Sequence, residues 1–328
     1  NERVRALPDD ARRLLEVTAL ASRPLERKVV AEAAGVLDDA NASAMLRAGH
    51  LSRSFPDGER VLVEAYHDRI RETVIESLAD DKRRALHKSL ANVMLKNANE
   101  DPEILAHHLE AAGDEERAAQ LALDAARRAT GKLAFHRATR LYAWALKLLP
   151  ASDPRRAALE EQCGQAHANA GQGHESAAAF LRAADLVAAT DSAKALDLRR
   201  LAAQKLLESG RADEGLELLR AVLGAVGMDL PRTTFAALRS VMWHRGRVRL
   251  SGYRFTERDE RTIKREELLR VDLCHSAAMG LLSGGEARRF LDYSARFMLV
   301  ALQAGEPRRI ALALSHEIHS VTALFGPK

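Results

Sequence analysis

The sequence predicts a mainly α protein in which a small three-helix domain with one β-hairpin precedes a long array of helical repeats. Three observations predict it. Apolar residues make up 47% of the chain but aromatics only 4%, a composition that suits helix-on-helix packing through small contact residues. Clear period-two alternation is confined to two short segments flanking Pro56-Asp57-Gly58. From about residue 114 onward, helix-length apolar patterns recur at a near-constant spacing, punctuated by glycine.

The first helix is expected over residues 7–21. Pro8 stands at its start, where a missing N–H costs nothing, and Leu14, Leu15, Val17 and Leu20 form its buried side. Ser22-Arg23-Pro24 stops it. Leu25 to Ala34 reads as a second, short helix closed by Gly35. Asp38 to Ala48 reads as a third, with Met45 and Leu46 inward and Gly49 at its end. Leu51–Phe55 and Val61–Ala65 then alternate as strands about the Pro56-Asp57-Gly58 turn.

Three helices followed by a two-stranded wing is a winged-helix arrangement. Used on DNA, its third helix would present Arg, Lys, Asn or Gln to base edges and phosphates. Residues 41–48 offer one Arg and one terminal Asn, so a protein-packing role is favoured over nucleic-acid binding. The last strand runs directly into a helix from His67 to about Ala79, with Ile70, Val74 and Leu78 on one face. Asp80 can cap the next helix, which carries Leu86, Leu90 and Val93, and Pro102 opens another that runs through Leu105 and Leu109 to Gly113.

Beyond 114 the repeat becomes explicit. Gly164, Gly171, Phe180 and Ala183 shifted by 39 give Ala203, Gly210, Leu219 and Val222; shifted back by 38 they give Ala126, Leu133, Tyr142 and Ala145. Small residues sit where paired helices cross closely, and a large one is wedged between them. This resembles the tetratricopeptide repeat, in units lengthened from the usual ~34 residues. The resemblance implies a solenoid whose concave face takes a protein partner. The array is interrupted after Gly227. Arg239 to Arg254 contains five arginines and no acid, interleaved with Val241, Met242, Trp243, Val248, Leu250 and Tyr253. A basic contact for nucleic acid or an acidic partner is one reading of this stretch. A solvated face on a helix whose apolar side docks on the array is the favoured one. Helices resume at 263–283, 287–304 and 307–325. The expected organisation is therefore a winged helix over 1–80, linking helices over 81–113, repeats over 114–227, a basic insertion over 228–262 and further repeats over 263–328.

The charge of +4 is small for 328 residues and does not itself argue for nucleic acid. Cys163 and Cys274 lie far apart and imply neither a disulfide framework nor a metal site, and the expected compartment is the cytoplasm. No apolar run reaches membrane-helix length. The start Asn-Glu-Arg-Val-Arg is not a signal peptide, and the chain reads as a piece of a larger protein. Gly131-Lys132 lacks the rest of a phosphate loop. His316 and His319 are one residue closer than the zinc-protease spacing, which points to a helix contact. His107 and His108 are expected to be one solvated and one packed. Asn41-Ala42-Ser43 is a formal glycosylation sequon without meaning in a cytosolic protein. The chain alone is not expected to be an enzyme or to hold a metal or cofactor.

The remaining signal is Tyr66-His67-Asp68 at the joint between the wing and the following helix, with repeats beyond. This order resembles the signal-transduction ATPases with numerous domains, in which the last winged-helix segment carries Met-His-Asp. Tyr66 occupies the Met position and keeps a large apolar body, with His67 and Asp68 as the His and Asp. The resemblance implies that His67 reaches the β-phosphate of ADP held by a neighbouring nucleotide-binding domain absent from this chain, and that Asp68 orients or caps the helix presenting it. Ile70-Arg71-Glu72, the stretch Arg254–Glu260 and Val271-Asp272-Leu273-Cys274 resemble the bacterial branch, including regulators that join a serine/threonine kinase to an AAA ATPase module and a repeat array.

Overall fold

The computed structural model describes residues 4, 6–21, 23–96 and 100–325. Ser22 of the expected helix stop and the terminal Gly326-Pro327-Lys328 lie outside these. The chain divides into two compact units, Asn1–Pro150 and Ala151–Lys328.

In the first unit, helix α1 (Asp9–Leu20) is the hub. Leu14, Leu15, Val17 and Leu20 are all at most 5% exposed, and α1 packs against α2 (Arg27–Ala34), α3 (Ala40–Ala48), α4 (Asp68–Ser77) and α5 (Asp80–Met94). The strands are β1 (Leu25–Glu26), β2 (Ser52–Asp57) and β3 (Arg60–Ala65), in the antiparallel order β1-β3-β2. The element order α1-β1-α2-α3-β2-β3 is that of a winged helix.

The sequence-based expectations need four local corrections here. Leu25 and Glu26 do not begin α2; they pair with Val63 and Leu62 as a short strand, a partner 36 or more residues away that local pattern does not reveal. Pro56 and Asp57 belong to β2, paired with Val61 and Arg60, so the turn is Gly58-Glu59 with Gly58 at φ +59. A glycine at the first central position suits a two-residue hairpin loop. Met45 points outward at 46% exposed, because the buried side of α3 is Ala42, Ser43 and Leu46. Asp80 does not cap α5: Ala79 holds the N-cap, and the Asp80 carboxylate accepts from Arg83 at 2.7 Å.

The α3 start is held to α2 by a bidentate pair. Arg27 Nε and Nη2 donate to the two Asp39 oxygens at 2.5 and 2.7 Å, and Ser43 adds a third donor. The Arg27 hydrogen bonds outweigh burial and hold the Asp39 carboxyl below its ordinary range. Helix α6 (Pro102–Ala111) starts with Asp101 accepting from the Glu103 N–H at 3.0 Å, Pro at its first position.

Paired helices follow: α7 (Glu115–Gly131) with α8 (Phe135–Leu148), then in the second unit α9 (Arg156–Asn169) with α10 (Gly173–Val187) and α11 (Ser192–Glu208) with α12 (Ala212–Ala225). Their three turns are built alike. Leu133, Gly171 and Gly210 have φ of 59, 75 and 83°. In each, the next N–H reaches back to close the helix: Ala134 to Ala129, Gln172 to His167, and Arg211 to Leu206, at 2.9 to 3.0 Å. This is Schellman closure. The aligned slots thus share a backbone conformation as well as a residue pattern. The crossing slots also fit: a Cβ on Gly164 would meet two Phe180 ring carbons at 2.9 Å, so the small residue is what admits the aromatic wedge.

After α12 comes α13 (Thr234–Ser251), then α14 (Arg265–Ser283), α15 (Ala287–Ala304) and α16 (Pro307–Phe325). Helix α14 packs on α11, so the array resumes there, and α13 is an insertion lying on α15. Leu207 of α11 is the wedge at this crossing: a Cβ on Gly215 or Gly280 would stand 2.6 or 2.5 Å from its side chain. The fold is mainly α, a winged helix followed by helical hairpins of the tetratricopeptide type.

Candidate functional site

The wing-to-helix joint is assembled by continuing the hairpin beyond its ladder. Ser52 pairs with Ala65, and the Tyr66 N–H donates to the Leu51 carbonyl at 3.1 Å. The chain then leaves the sheet with His67 extended at φ −143°, ψ 150°, as the N-cap residue of α4. Its backbone carbonyl accepts the first helical bonds, from Ile70 at 2.9 Å and Arg71 at 3.3 Å. Its imidazole is exposed and has no hydrogen-bond partner among the described residues.

Asp68 does not cap this helix. It stands one position inside, and no side chain makes a cap bond at this end. Its carboxylate is 91% exposed and 3.6 Å from Arg71 Nε. A carboxylate in the first turn still favours the helix through the backbone dipole.

Tyr66 is half-buried and sits between two imidazoles. Its ring meets His67 edge-on at 4.7 Å and His50 edge-on at 5.3 Å. His50 follows α3 at φ +55°, where the Leu51 N–H closes back on Leu46 at 2.9 Å. Tyr66 thus touches both His50, at the end of the α3 turn, and His67, at the start of α4. Sequence reasoning missed His50. Its place beside Tyr66 depends on the turn after α3, where His50 takes φ +55°, and no local sequence pattern marks that contact. Exposed imidazoles beside a phenol can donate hydrogen bonds to phosphate oxygens.

The same unit carries an open cleft of about 510 Å³, whose lining includes Leu37, Val61, Arg27 and Asp39. Leu37 is fully exposed and Val61 is 42% exposed. Helix α3 turns outward Asn41, Ala44, Met45, Arg47 and Ala48, which is small and apolar for a helix meant to read a charged duplex.

The other singled-out residues fall elsewhere. His108 is buried and shares an Nδ1···Nδ1 hydrogen bond of 2.9 Å with His87, while His107 is exposed and stacks on Trp144 at 4.2 Å. His316 is buried against His275 and Phe297, and His319 meets Phe290 edge-on, so the pair serves helix contacts. Among the described residues no cluster of His, Cys, Asp or Glu has the geometry to hold a metal ion. Burial pushes the Cys163 thiol up to about 11 and Cys274 to about 12, which leaves neither as a ready nucleophile. No described helix is long and apolar enough to cross a membrane.

Comparison with known proteins was made at three levels. No family model matches the chain, and no curated protein matches it. Among solved structures it is similar to a signal transduction ATPase with numerous domains (STAND) protein with a tetratricopeptide repeat sensor, from Pyrococcus horikoshii. Identity is 14%, the TM-score is 0.33, and the match covers 98% of this chain and 55% of that one. The chain thus spans about half the length of that protein.

Proposed function

We propose that this chain is the regulatory and sensing portion of a nucleotide-switched signalling ATPase of the bacterial, kinase-linked kind. The helical hairpins receive a protein or ligand signal. The winged helix gates the ADP/ATP switch of a neighbouring nucleotide-binding domain, with His67 as the ADP phosphate sensor and Asp68 in the first turn behind it. The observation that carries this reading is the presentation of His67: an exposed imidazole with no hydrogen-bond partner among the described residues, held at a strand-to-helix joint as the N-cap residue and against an edge-on tyrosine. Chemistry at the nucleotide belongs to that neighbouring domain, and the chain itself acts as a binding and coupling element. Coupling of two sites through one two-state element is what an allosteric role requires.

The outward face of α3 and the apolar cleft beside Leu37 support a protein neighbour for the winged helix over a DNA duplex. The test is made on the longer protein that carries the nucleotide domain, with and without His67→Ala. The ADP that co-purifies and its release rate are measured. Faster release with an unchanged circular dichroism spectrum is the expected result. Unchanged retention sinks the sensor role and leaves a passive protein-binding repeat scaffold as the reading to pursue.

A further inference from the structure

The basic insertion turns only its smaller apolar residues inward. Helix α13 docks on α15 with Ala237, Val241 and Val248 buried and the polar Ser240 and His244 half-buried beside them. Phe235, Leu238, Met242, Trp243 and Leu250 face outward, from 53 to 90% exposed. What fixes the helix is a buried polar node. Asp292 of α15 is fully buried and accepts from Ser240 Oγ at 2.7 Å, lies 2.9 Å from His244 Nδ1 and pairs with Arg296 at 3.0 Å. Burial pushes its carboxyl up, but the His244 bond, the Arg296 charge and the Ser240 bond together hold it below its ordinary value.

This docking leaves a cleft of about 590 Å³ between α13, α15 and the loop at 229–232, whose lining includes Asp229, Arg232, Arg239, Trp243 and Arg296. The volume is that of a small-molecule site. Its loop wall is pinned from α15: Tyr293 Oη donates to the Asp229 carbonyl at 3.0 Å, and Arg289 donates to the carbonyls of Pro231 and Arg232 at 2.8 and 3.1 Å. Arg296 lies 4.9 Å from the Tyr293 ring centroid and donates to Ser240 Oγ at 2.9 Å, while its Nε is buried with no hydrogen-bond partner among the described residues. The site is therefore pre-formed.

Its charge is not balanced from within. Arg296 is paired with Asp292, but Arg232 and Arg239 have no ion-pair partner among the described residues, and Asp229 is the one further carboxylate in the lining. Between Leu230 and Thr256 the sequence has six arginines and no acid. Trp243, 66% exposed on the same rim, offers a bare aromatic face. Planar guanidiniums bind oxyanions through paired N–H groups, and an exposed indole takes a flat group by stacking.

We propose that this cleft binds a small anionic ligand carrying a flat apolar group, its phosphate or carboxylate held by Arg232 and Arg239 and its ring laid on Trp243. Arg296 acts as a positioning residue that holds α13 in place. The inference rests on the sensor reading for what the site is for, and gives the signal a chemical class. The two fail separately, because binding here is read at Trp243 whether or not His67 governs ADP retention.

The experiment uses the whole chain carrying Trp144→Phe, so that Trp243 is the single indole of the two in the sequence. Fluorescence is titrated with phenyl phosphate, benzoate and neutral phenol at ~0.15 M salt, where loose surface attraction is largely screened. Saturable quenching by phenyl phosphate or benzoate, with half-saturation at ~1 mM or below, and none by phenol is expected. Whichever anion binds more tightly identifies the head group. Arg232→Ala and Arg239→Ala should each weaken binding about tenfold or more. Arg247→Ala, an exposed charge on α13 outside the lining, should leave it unchanged. Calorimetry on the unsubstituted chain repeats the titration without relying on the Trp144 change. Absence of saturable binding of both anions, equal binding of phenol, or an Arg247→Ala loss as large as that of Arg239→Ala would overturn the proposal.

Discussion

Arg309 grips Asp272 with two parallel hydrogen bonds, Nε to Oδ1 at 2.7 Å and Nη2 to Oδ2 at 2.9 Å. Its remaining nitrogen reaches Glu260 at 2.9 Å and Glu306 at 3.2 Å. Glu306 in turn accepts the first N–H groups of α16, from Arg308 and Arg309. One side chain thus joins the 254–260 segment, the middle of α14 and the start of α16. Gly305 completes the joint: a Cβ there would stand 2.2 Å from the Thr256 carbonyl, so the loop lies directly on the turn.

The first prediction follows from that joint. Arg309→Ala should destabilise the second unit by about 2 kcal/mol, the scale of lost hydrogen bonds to charged groups. Arg309→Lys should recover little, since an ammonium cannot form the paired bonds. Hydrogen exchange of α14 and α16 amides reads the loss locally. Equal protection in the alanine variant would show that Arg309 is dispensable to the joint.

Gly164→Ala sets two effects against each other. Alanine favours the helix over glycine by about 1 kcal/mol. Its Cβ, however, meets Phe180 at 2.9 Å, and overpacking typically costs about 1–3 kcal/mol. The variant should be net destabilised in urea unfolding. Phe180→Leu should be less sensitive to Gly164→Ala than the wild type is. Gly246, mid-α13 with nothing within 4 Å of a built Cβ, is the control: there alanine should stabilise.

The repeats were legible in the sequence because close crossing imposes a residue class on each slot, glycine or alanine opposite a large wedge. Those slots can be aligned without knowing any contact. The winged helix was legible for a related reason, since its hairpin has its own period and its own turn glycine. What escaped was non-local. Leu25 gives no local sign of a strand because its partner Val63 lies far along the chain. Helix α13 misled because its large apolar residues are spread around the outward side, while small and polar residues do the docking. The buried Asp292 node left a faint trace: Ser240 and His244 on one helix, Asp292 and Arg296 on another, both spaced i, i+4. Two such polar pairs on interior faces are a pattern worth reading as mutual satisfaction. At the joint, the strand-to-helix transition was legible, but the helix N-cap fell on His67 instead of Asp68, and the His50 contact with Tyr66 was not.

Leu133 holds a glycine slot. It is 73% exposed with φ +59°, whereas the equivalent Gly171 and Gly210 take that conformation freely. A left-handed conformation costs a side-chain-bearing residue roughly 1–2 kcal/mol, and the greater freedom of an unfolded glycine takes back part of that. Leu133→Gly should therefore stabilise the first unit by up to about 1 kcal/mol. Leu133→Val, with a β-branched side chain in the same conformation, should destabilise it. Thermal unfolding of the two variants ought to move in opposite directions, and movement in the same direction would refute the strain assigned to this turn.

The last prediction concerns pH. Burial, followed by the neighbouring charges of His87, His107 and Arg23, lowers His108 to about 4. Burial, followed by His275 and His319, lowers His316 to about 4. In the unfolded chain both titrate near 6.5. Between those values the unfolded state binds protons that the folded state refuses. Stability is therefore complete above the unfolded pKa and is lost as pH falls from 6.5 toward 4, by about 1.4 kcal/mol per pH unit for each group. Urea unfolding at pH 7.5 and 5.0 should differ by roughly 2 kcal/mol per buried histidine. His316→Gln removes one titrating group from the second unit and should flatten the dependence there while leaving that of the first unit intact. The paired carboxylates Asp39 and Asp292 do not confuse this window, because their pKa values lie below the ordinary 3.8 and their protonation begins where the histidine loss has ended. A profile that stays level from pH 7.5 to 5.0 would mean that these imidazoles are solvated on the timescale of folding, and that their aromatic and histidine neighbours do not exclude water.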